Sequence, residues 1–511
     1  MKTTDFINKS VVFTIALLLA IFSPACKAES NNIRIDLTVP TNPEIINKVR
    51  QYSIPWIEVR ELKLGESYSD RKGEKSFLND TVLPDYSFCI SDNDTTLEEC
   101  LKTAYLNSPE IMRAAHEVQQ YEAKLRQSLS LYIPEANIIL LRSDAGIPAL
   151  TDHYWNNSIT GEISYLIYDS GKRSLLCKAA GDSLMAARYS FLQAWNEKAY
   201  KVSSAYYRLL YSYILMCICE DDLIKTRDNL QIAQGFYSTG SKAKIDVTQA
   251  EILVKTSEIN LTESQASCLN AYTGLISEMG MDPNNYKIKK MKDLLTEPAK
   301  PRQSIEQLRQ EAELCNPMIG YYEYMNRAAL NMASSYLTDR LPQFSANASW
   351  GGKTKWSAND TSWSVNFQLK IPLLKNTESK AYAEEQKALA MQALDAKEAV
   401  KIAAEEAARA SAIQMAAAQK RSETAYSSVE TALQNYRLSY LRYKSGVSTI
   451  IELNNAIDYL NNTRKLYLAS LYDIRMSEAA IDKAIGSSIP DVSPEEFLKA
   501  IDEYIEKANQ K

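Results

Sequence analysis

From Gln343 to Ile371 the chain alternates polar and apolar residues. Gln343, Ser345, Asn347 and Ser349 interleave with Phe344, Ala346, Ala348 and Trp350. After a polar break from Gly351 to Asp360, Ser362, Ser364, Asn366, Gln368 and Lys370 interleave with Trp363, Val365, Phe367, Leu369 and Ile371. Period-two alternation puts the two sets on opposite faces of a pleated strand, which predicts an antiparallel hairpin with one apolar and one polar face. Each arm is about 10 residues long, the length at which a tilted strand crosses a bilayer. A half-buried hairpin in a soluble sheet would alternate in the same way, so the neighbouring segments decide between the two. A less regular hairpin is predicted earlier, with strands at about Ala136 to Ser143 and Ser158 to Tyr168; there the apolar run Ile138 to Leu141 and the intruding Leu166 blur the pattern.

Long helical stretches follow each hairpin. Lys172 to Phe236 contains no proline and only Gly181 and Gly235; Glu378 to Ser445 contains neither residue type. At a rise of 1.5 Å per residue each predicts a helix roughly 100 Å long. In the first, Leu176, Ala180, Met185, Leu192, Trp195, Ala199, Val202, Tyr206, Leu209 and Tyr213 recur at helical spacing, widened by Tyr189, Tyr207 and Leu210. A stripe that broad packs against neighbours on two sides. In the second, Ala403, Ala404, Ala407, Ala408, Ala412, Ala416, Ala417 and Ala418 allow close helix approach. A long coiled coil would show the same periodicity, but would not carry the hairpins.

The chain is one unit written twice. Thr96-Leu97-Glu98-Glu99 and Ser304-Ile305-Glu306-Gln307, 208 residues apart, are both capping boxes. At that offset Ser108-Pro109 matches Asn316-Pro317, and Pro134 matches Pro342. The offset then becomes 206: Tyr237-Ser238-Thr239-Gly240 matches Tyr443-Lys444-Ser445-Gly446, Asp246 matches Glu452, Ala250 matches Ala456, and Met279-Gly280 matches Ile485-Gly486. Each unit reads as a helix to the proline, a hairpin, a very long helix, a break at glycine and a second helix. The organisation expected is a signal segment 1–25, an extended arm 26–94, a first repeat 95–283, a connector 284–303, a second repeat 304–487 and a tail 488–511, in which Pro494 to Ala508 could form a short helix.

Composition narrows the class. Only 15 glycines and 16 prolines occur in 511 residues, as suits long helices. The net charge of −5 and the lack of any dense Lys/Arg block argue against a nucleic-acid partner. Lys2 and Lys9 precede the apolar run Val11 to Phe22, too short to span a membrane and shaped like a secretory leader. Two processing routes fit: cleavage near Ala25 or Ala28, or lipid attachment at Cys26. No later segment has 18 consecutive apolar residues, so any crossing of a membrane after export uses strands. The eight cysteines match neither a zinc site nor a disulfide framework, although Cys89 and Cys100 could bridge, and Cys217 and Cys219 read as packing residues. His116 and His153 lie in different elements and read as ordinary side chains. No nucleophile-base pair, metal cluster or phosphate loop is visible, so no catalytic, metal or cofactor residue is assigned and an enzyme is not expected.

Two hairpins supply four strands, too few to close a membrane barrel of at least eight. An open edge cannot face lipid, because its bare N–H and C=O groups would have no partners. Several chains therefore share one barrel: two would give eight strands and a filled interior, three would give twelve and room for a lumen. A threefold ring would also gather the helices into a hollow tube below the sheet.

Across about 390 residues, from Thr95 to Gly486, the chain resembles the TolC-like outer-membrane efflux proteins. The resemblance is carried by the helix opening Thr96 to Pro109, the corner Tyr168-Asp169-Ser170-Gly171 and the two Tyr-x-x-Gly segments followed by an acidic residue and Ala. It implies a mainly α fold with a transmembrane β-barrel part: a homotrimer with a 12-stranded barrel in outer-membrane lipid, continuous with a long periplasmic α-helical barrel. It further implies an exit duct working with a periplasmic adaptor (membrane fusion) protein and an inner-membrane transporter. Tyr237, Gly240, Tyr443 and Gly446 would then form adaptor-docking turns at the periplasmic tip, and Asp246, Glu452 and Asn455 would line its constriction. The chain departs from the family's pattern at Lys375-Asn376-Thr377, which replaces the usual Asp-Gly-Gly corner, and at Asn455, where an acid is the common residue. Small-molecule or drug efflux and type I protein secretion share this architecture and stay open, as does, more remotely, a structural coiled-coil protein of the envelope.

Overall fold

A computed structural model describes residues 96–146, 153–283, 295, 305–355, 358–373 and 376–486. All of them belong to one compact unit, Leu78–Lys511. The leader with Cys26, the arm, Cys89, Ser304, most of the connector and the tail lie outside the described residues.

Each repeat opens with a broken helix. In the first, α1 (Leu97–Asn107) and α2 (Pro109–Ser130) meet at Ser108. In the second, α5 (Ile305–Cys315) and α6 (Pro317–Thr338) meet at Asn316. The capping box predicted at the start of α1 is present: the Thr96 hydroxyl accepts from the Glu99 N–H at 3.2 Å, and the Glu99 carboxylate accepts from the Thr96 N–H at 3.4 Å. The single helix expected to run on to each later proline is instead interrupted at Ser108 and Asn316, with ψ of 123° and 121°. A proline disfavours α conformation at the residue before it and supplies no N–H, so it starts a new helix there.

Four strands follow, β1 (Glu135–Gly146), β2 (His153–Tyr168), β3 (Gln343–Lys355) and β4 (Ala358–Lys370), in one antiparallel sheet of order β1-β2-β3-β4. The polar break expected from Gly351 to Asp360 is not a break. Gly351 pairs with Ser362 and Lys353 with Asp360, so the ladder continues through it. Gly351 belongs in the ladder because a Cβ there would lie 2.7 Å from the Ile159 carbonyl on β2, a close backbone approach that only glycine allows. The first hairpin is likewise longer than the Ala136 to Ser143 and Ser158 to Tyr168 expected.

Register assigns the faces. Phe344, Ala346, Ala348 and Trp350 stand opposite Leu369, Phe367, Val365 and Trp363, and the face continues onto β2 through Tyr165 and Ile163. It is bare: Trp363 is 77% exposed and Phe367 67%. The opposite face carries rows such as Asn137, Glu162, Ser349 and Ser364, with the Ser349 and Ser364 hydroxyls 2.8 Å apart. Ile139, Leu141 and Leu166 are exceptions, apolar side chains placed by register on the polar face.

The long helices are α3 (Lys172–Ser238, 67 residues) and α7 (Asn376–Lys444, 69 residues), each followed by a shorter antiparallel partner, α4 (Lys244–Glu278) and α8 (Ile450–Ile485). α3 packs on α4, α6, α2 and α8, while α7 packs on α8, α6 and α5, so α6 and α8 of the second repeat both join the two halves. The corner into α3 is built by Asp169, whose carboxylate accepts from the Gly171 and Arg173 N–H groups and from Arg173 Nε at 3.0 Å. Arg173 also donates to the Leu131 and Ile167 carbonyls, tying sheet to helix. Lys172 bonds Asp339 at 2.6 Å and Ser170 donates to the Pro342 carbonyl, tying repeat to repeat.

From Trp195 to Leu209 the buried face of α3 matches the expected stripe; beyond it Ser212 and Ile214 are buried in place of Tyr213, and in the first third of the helix Leu184, Ala187 and Phe191 are buried where the expected stripe has Met185 and Leu192. That segment lies between α2 and α6, and contact on two sides leaves the phase of a broad stripe undetermined. Along α7 the buried positions Ala404, Ala408, Ser411, Ala418, Ser422, Val429, Ala432, Tyr436, Ser439 and Tyr443 keep coiled-coil spacing. Ala403, Ala407, Ala416 and Ala417 of the expected alanine face are exposed.

Candidate functional site at the paired helix turns

The ends of α3 and α7 lie at the far end of the helices from the sheet, and both chains reverse there by the same device. Gly240 has φ of 75° and Gly446 of 77°, the left-handed conformation that glycine adopts without penalty. The Gly240 N–H donates to the Tyr237 carbonyl and the Ser241 N–H to Phe236; the Gly446 N–H donates to Tyr443 and the Val447 N–H to Arg442. This pair of bonds is the Schellman arrangement, which satisfies carbonyls left without partners at a helix end. An added Cβ would meet nothing within 4 Å at either glycine, so backbone conformation and not space demands them.

The two turns sit side by side. Lys242 of the first donates to the Ser448 carbonyl of the second at 3.0 Å, and the Phe236 and Tyr443 rings meet edge to face at 5.8 Å. Beneath them Ala233, Ala250, Ile450, Leu453 and Ile457 form a core shared by both repeats. Tyr443 belongs to that core and is fully buried, so its ring is closed to any partner of this chain; it supports the turn from below. Tyr237, its counterpart, is 48% exposed. Burial, with the Asp246 carboxylate adding to it, pushes the Tyr443 phenol up to about 12. Its hydroxyl has no hydrogen-bond partner among the described residues.

The acids follow each turn in the first turn of the next helix. Thr449 caps α8 by accepting from the Glu452 N–H at 3.3 Å, whereas Ala243 opens α4 with no side-chain cap. Glu452 is paired with Arg442 at 3.1 Å. That pairing compensates the Glu452 charge, and no motif in the sequence marks out Arg442 or Lys242. Asn455 is exposed one turn further along α8. Among the described residues no cluster of three or more His, Cys, Asp or Glu could hold a metal. Of the two histidines, His116 contacts Gln119 at 3.0 Å and His153 begins β2. Cys219 is buried and Cys217 is half-buried.

Comparison with known proteins places this geometry. A family model described as outer membrane efflux protein matches residues 100–281 and 308–487, one stretch for each repeat. Protein CyaE of Bordetella pertussis is 22% identical over 195 residues, 37% of this chain and 41% of that protein, so the match spans about two fifths of that relative. Among solved structures, the Campylobacter jejuni CmeC outer membrane channel superposes with a TM-score of 0.71 at 16% identity, covering 85% of this chain and 94% of that one. The open state of the Neisseria gonorrhoeae MtrE outer membrane channel gives 0.67 at 15% identity, covering 81% and 93%. At such identity these likenesses speak for the fold alone, a sheet and a helical part made from a duplicated unit. With the family model matched in both repeats over more than half of its length, the chain belongs to the outer membrane efflux protein family, whose members are channel proteins of the outer membrane that extend into the periplasm.

Proposed function

We propose that three copies of the chain join their sheets edge to edge into a 12-stranded barrel, and that the trimer is the exit duct of a tripartite system exporting small molecules or drugs. One observation carries this reading: a four-stranded sheet with a bare apolar face, whose outer strands β1 and β4 each pair on one side only. In lipid those edges need strands from a neighbour, and β4 of one copy against β1 of the next supplies them. The helices support the same assembly. Ile245, Ile252 and Ile259 stand exposed every seventh residue on α4, and Ile402, Ile413, Leu438 and Leu441 stand exposed on α7, as faces awaiting a second copy would.

The paired turns would then form a ring of six at the periplasmic tip. Tyr237, Gly240 and Gly446 present the surface offered to a periplasmic adaptor, with Tyr443 holding the second turn in place, and the adaptor links the duct to an inner-membrane transporter. Asp246, Glu452 and Asn455 line the constriction, where Arg442 neutralises much of the Glu452 charge and leaves Asp246 as the chief acid. Gly446→Val tests the docking surface: a β-branched residue resists positive φ, so export should be lost while the trimer still inserts, and normal export would contradict the assignment. Deleting the chain separates cargo classes. Retention of a fluorescent dye with an unchanged set of secreted proteins supports small-molecule efflux; a lost secreted protein with normal dye export supports type I secretion.

A further inference from the structure

Between the sheet and the turns, α3 carries a buried group of charges that neither membrane insertion nor docking uses. It begins 17 residues before the end of α3 at Ser238, about 26 Å up the helix at 1.5 Å per residue. The Asp221 carboxylate accepts from Arg464 Nη1 at 2.6 Å and from Lys225 Nζ. The adjacent Asp222 accepts from Ser257 Oγ at 2.6 Å and from Asn461 Nδ2. The Arg464 side chain is 4% exposed and that of Lys225 8%, while the Asp221 side chain between them is 31% exposed. Lys225 Nζ also lies 5.4 Å from the Tyr436 ring centre, so α3, α4, α7 and α8 all contribute.

The duplication makes this knot informative, because only one half has it. At the 206-residue offset Asp221, Asp222 and Lys225 become Ser427, Ser428 and Thr431, all exposed on α7. Asn461 and Arg464 become Lys255 and Glu258 on α4, which bond each other at 2.9 Å. The seam between α3 and α8 within one chain is therefore charged and largely buried, whereas the matching positions on α7 and α4, two helices that do not pack on each other within one chain, hold hydroxyls and an exposed Lys255–Glu258 pair. A buried ion pair adds little net stability over an apolar filling of the same volume, yet its removal from one side leaves a costly unpaired charge; its best-attested use is to fix register. Apolar contacts such as those of Leu460 and Leu453 beside it tolerate sliding, whereas a hydrogen-bonded charge matches one position only.

We infer that the Asp221, Lys225 and Arg464 knot, braced by Asp222 and Asn461, clamps α8 onto α3 and limits opening of the channel to the helix ends below it. Asp221 and Arg464 are then positioning residues for the closed tip. The inference rests on the duct reading. It is tested with the full chain in planar bilayers, reading single-channel conductance at rest and trimer content on the same preparation. Arg464→Met should raise resting conductance at least twofold, and Arg464→Lys, which keeps a charge on Asp221, should stay at the wild-type level. The triple variant Asp221→Ser, Lys225→Thr, Arg464→Met leaves none of these three charges unpaired and uses the residues of the second repeat on α3; it should form trimers and conduct like Arg464→Met. Triple-variant trimers with wild-type conductance would overturn the clamp, as would failure of the triple variant to form trimers, which would make the knot a folding determinant. A wild-type chain that inserts without conducting would overturn the duct reading itself, and the clamp with it.

Discussion

The first and second helix turns share a backbone and differ in nearly every side-chain contact. Gly240 and Gly446 agree in φ to within a few degrees and in both capping bonds. Around the second, Tyr443 is sealed in the core, Thr449 caps the next helix and Arg442 pairs with Glu452. Around the first, Tyr237 is half in solvent, Ala243 provides no cap, and Phe236 stands where the second turn has Arg442, so that no ion pair joins Asp246 among the described residues. Duplication preserved the geometry that reverses the chain, while the surroundings diverged into a braced turn and a bare one. The same division recurs higher up, where the charged knot of α3 has no equivalent on α7.

The largest expected difference between the turns comes from their tyrosines. Tyr443→Ala empties a buried site and should cost about 3 to 5 kcal/mol, while Tyr237→Ala, at the exposed position, should stay within about 0.5 kcal/mol. Denaturant unfolding of the solubilised protein measures both, and equal costs would erase the contrast. The two faces of the sheet offer the next test. Phe367→Arg on the apolar face should cost about 2 to 4 kcal/mol near mid-bilayer, and Gln368→Arg on the polar face should be tolerated; folding titrations into lipid vesicles would show it.

How much of this was legible beforehand depended on whether a feature has a period. Alternation at 343–371 revealed both faces, and the glycines of the two turns marked reversals because few other residues accept positive φ. The motif Tyr-x-x-Gly could not say which tyrosine is buried, since Tyr237 and Tyr443 are identical at the level of spacing and differ only through Phe236 and the packing of α8. Asp221, Lys225 and Arg464 were equally silent: charges on a helix read as a solvated face unless the third and fourth helices around them are known. Gly351 reads as the start of a polar break in the sequence because its reason for being glycine lies on β2, nearly 200 residues away in the chain.

Smaller effects refine the comparison. Thr449→Ala should cost about 1 kcal/mol by removing a cap, and Ala243→Ser should stabilise by a similar amount; a change of the same sign in both would mean that the caps are not the difference. The alkaline limb of stability gives the last contrast. The Tyr443 phenol titrates above its unfolded value, so its contribution is complete below about pH 10 and is lost as pH rises through about 12. Tyr443→Phe removes a buried hydroxyl that has no partner among the described residues; it should leave stability at pH 7 unchanged or raised and flatten the decline between pH 10 and 12, and an unaltered decline would show that the buried phenol is not its source.

All of these readings presuppose that the open edges of β1 and β4 are closed by other copies of the chain. Mass measurement of the particle released from outer membranes by a mild detergent tests that claim most directly. The account predicts a particle holding three chains that stays together in detergent; a particle holding one chain or two would contradict it.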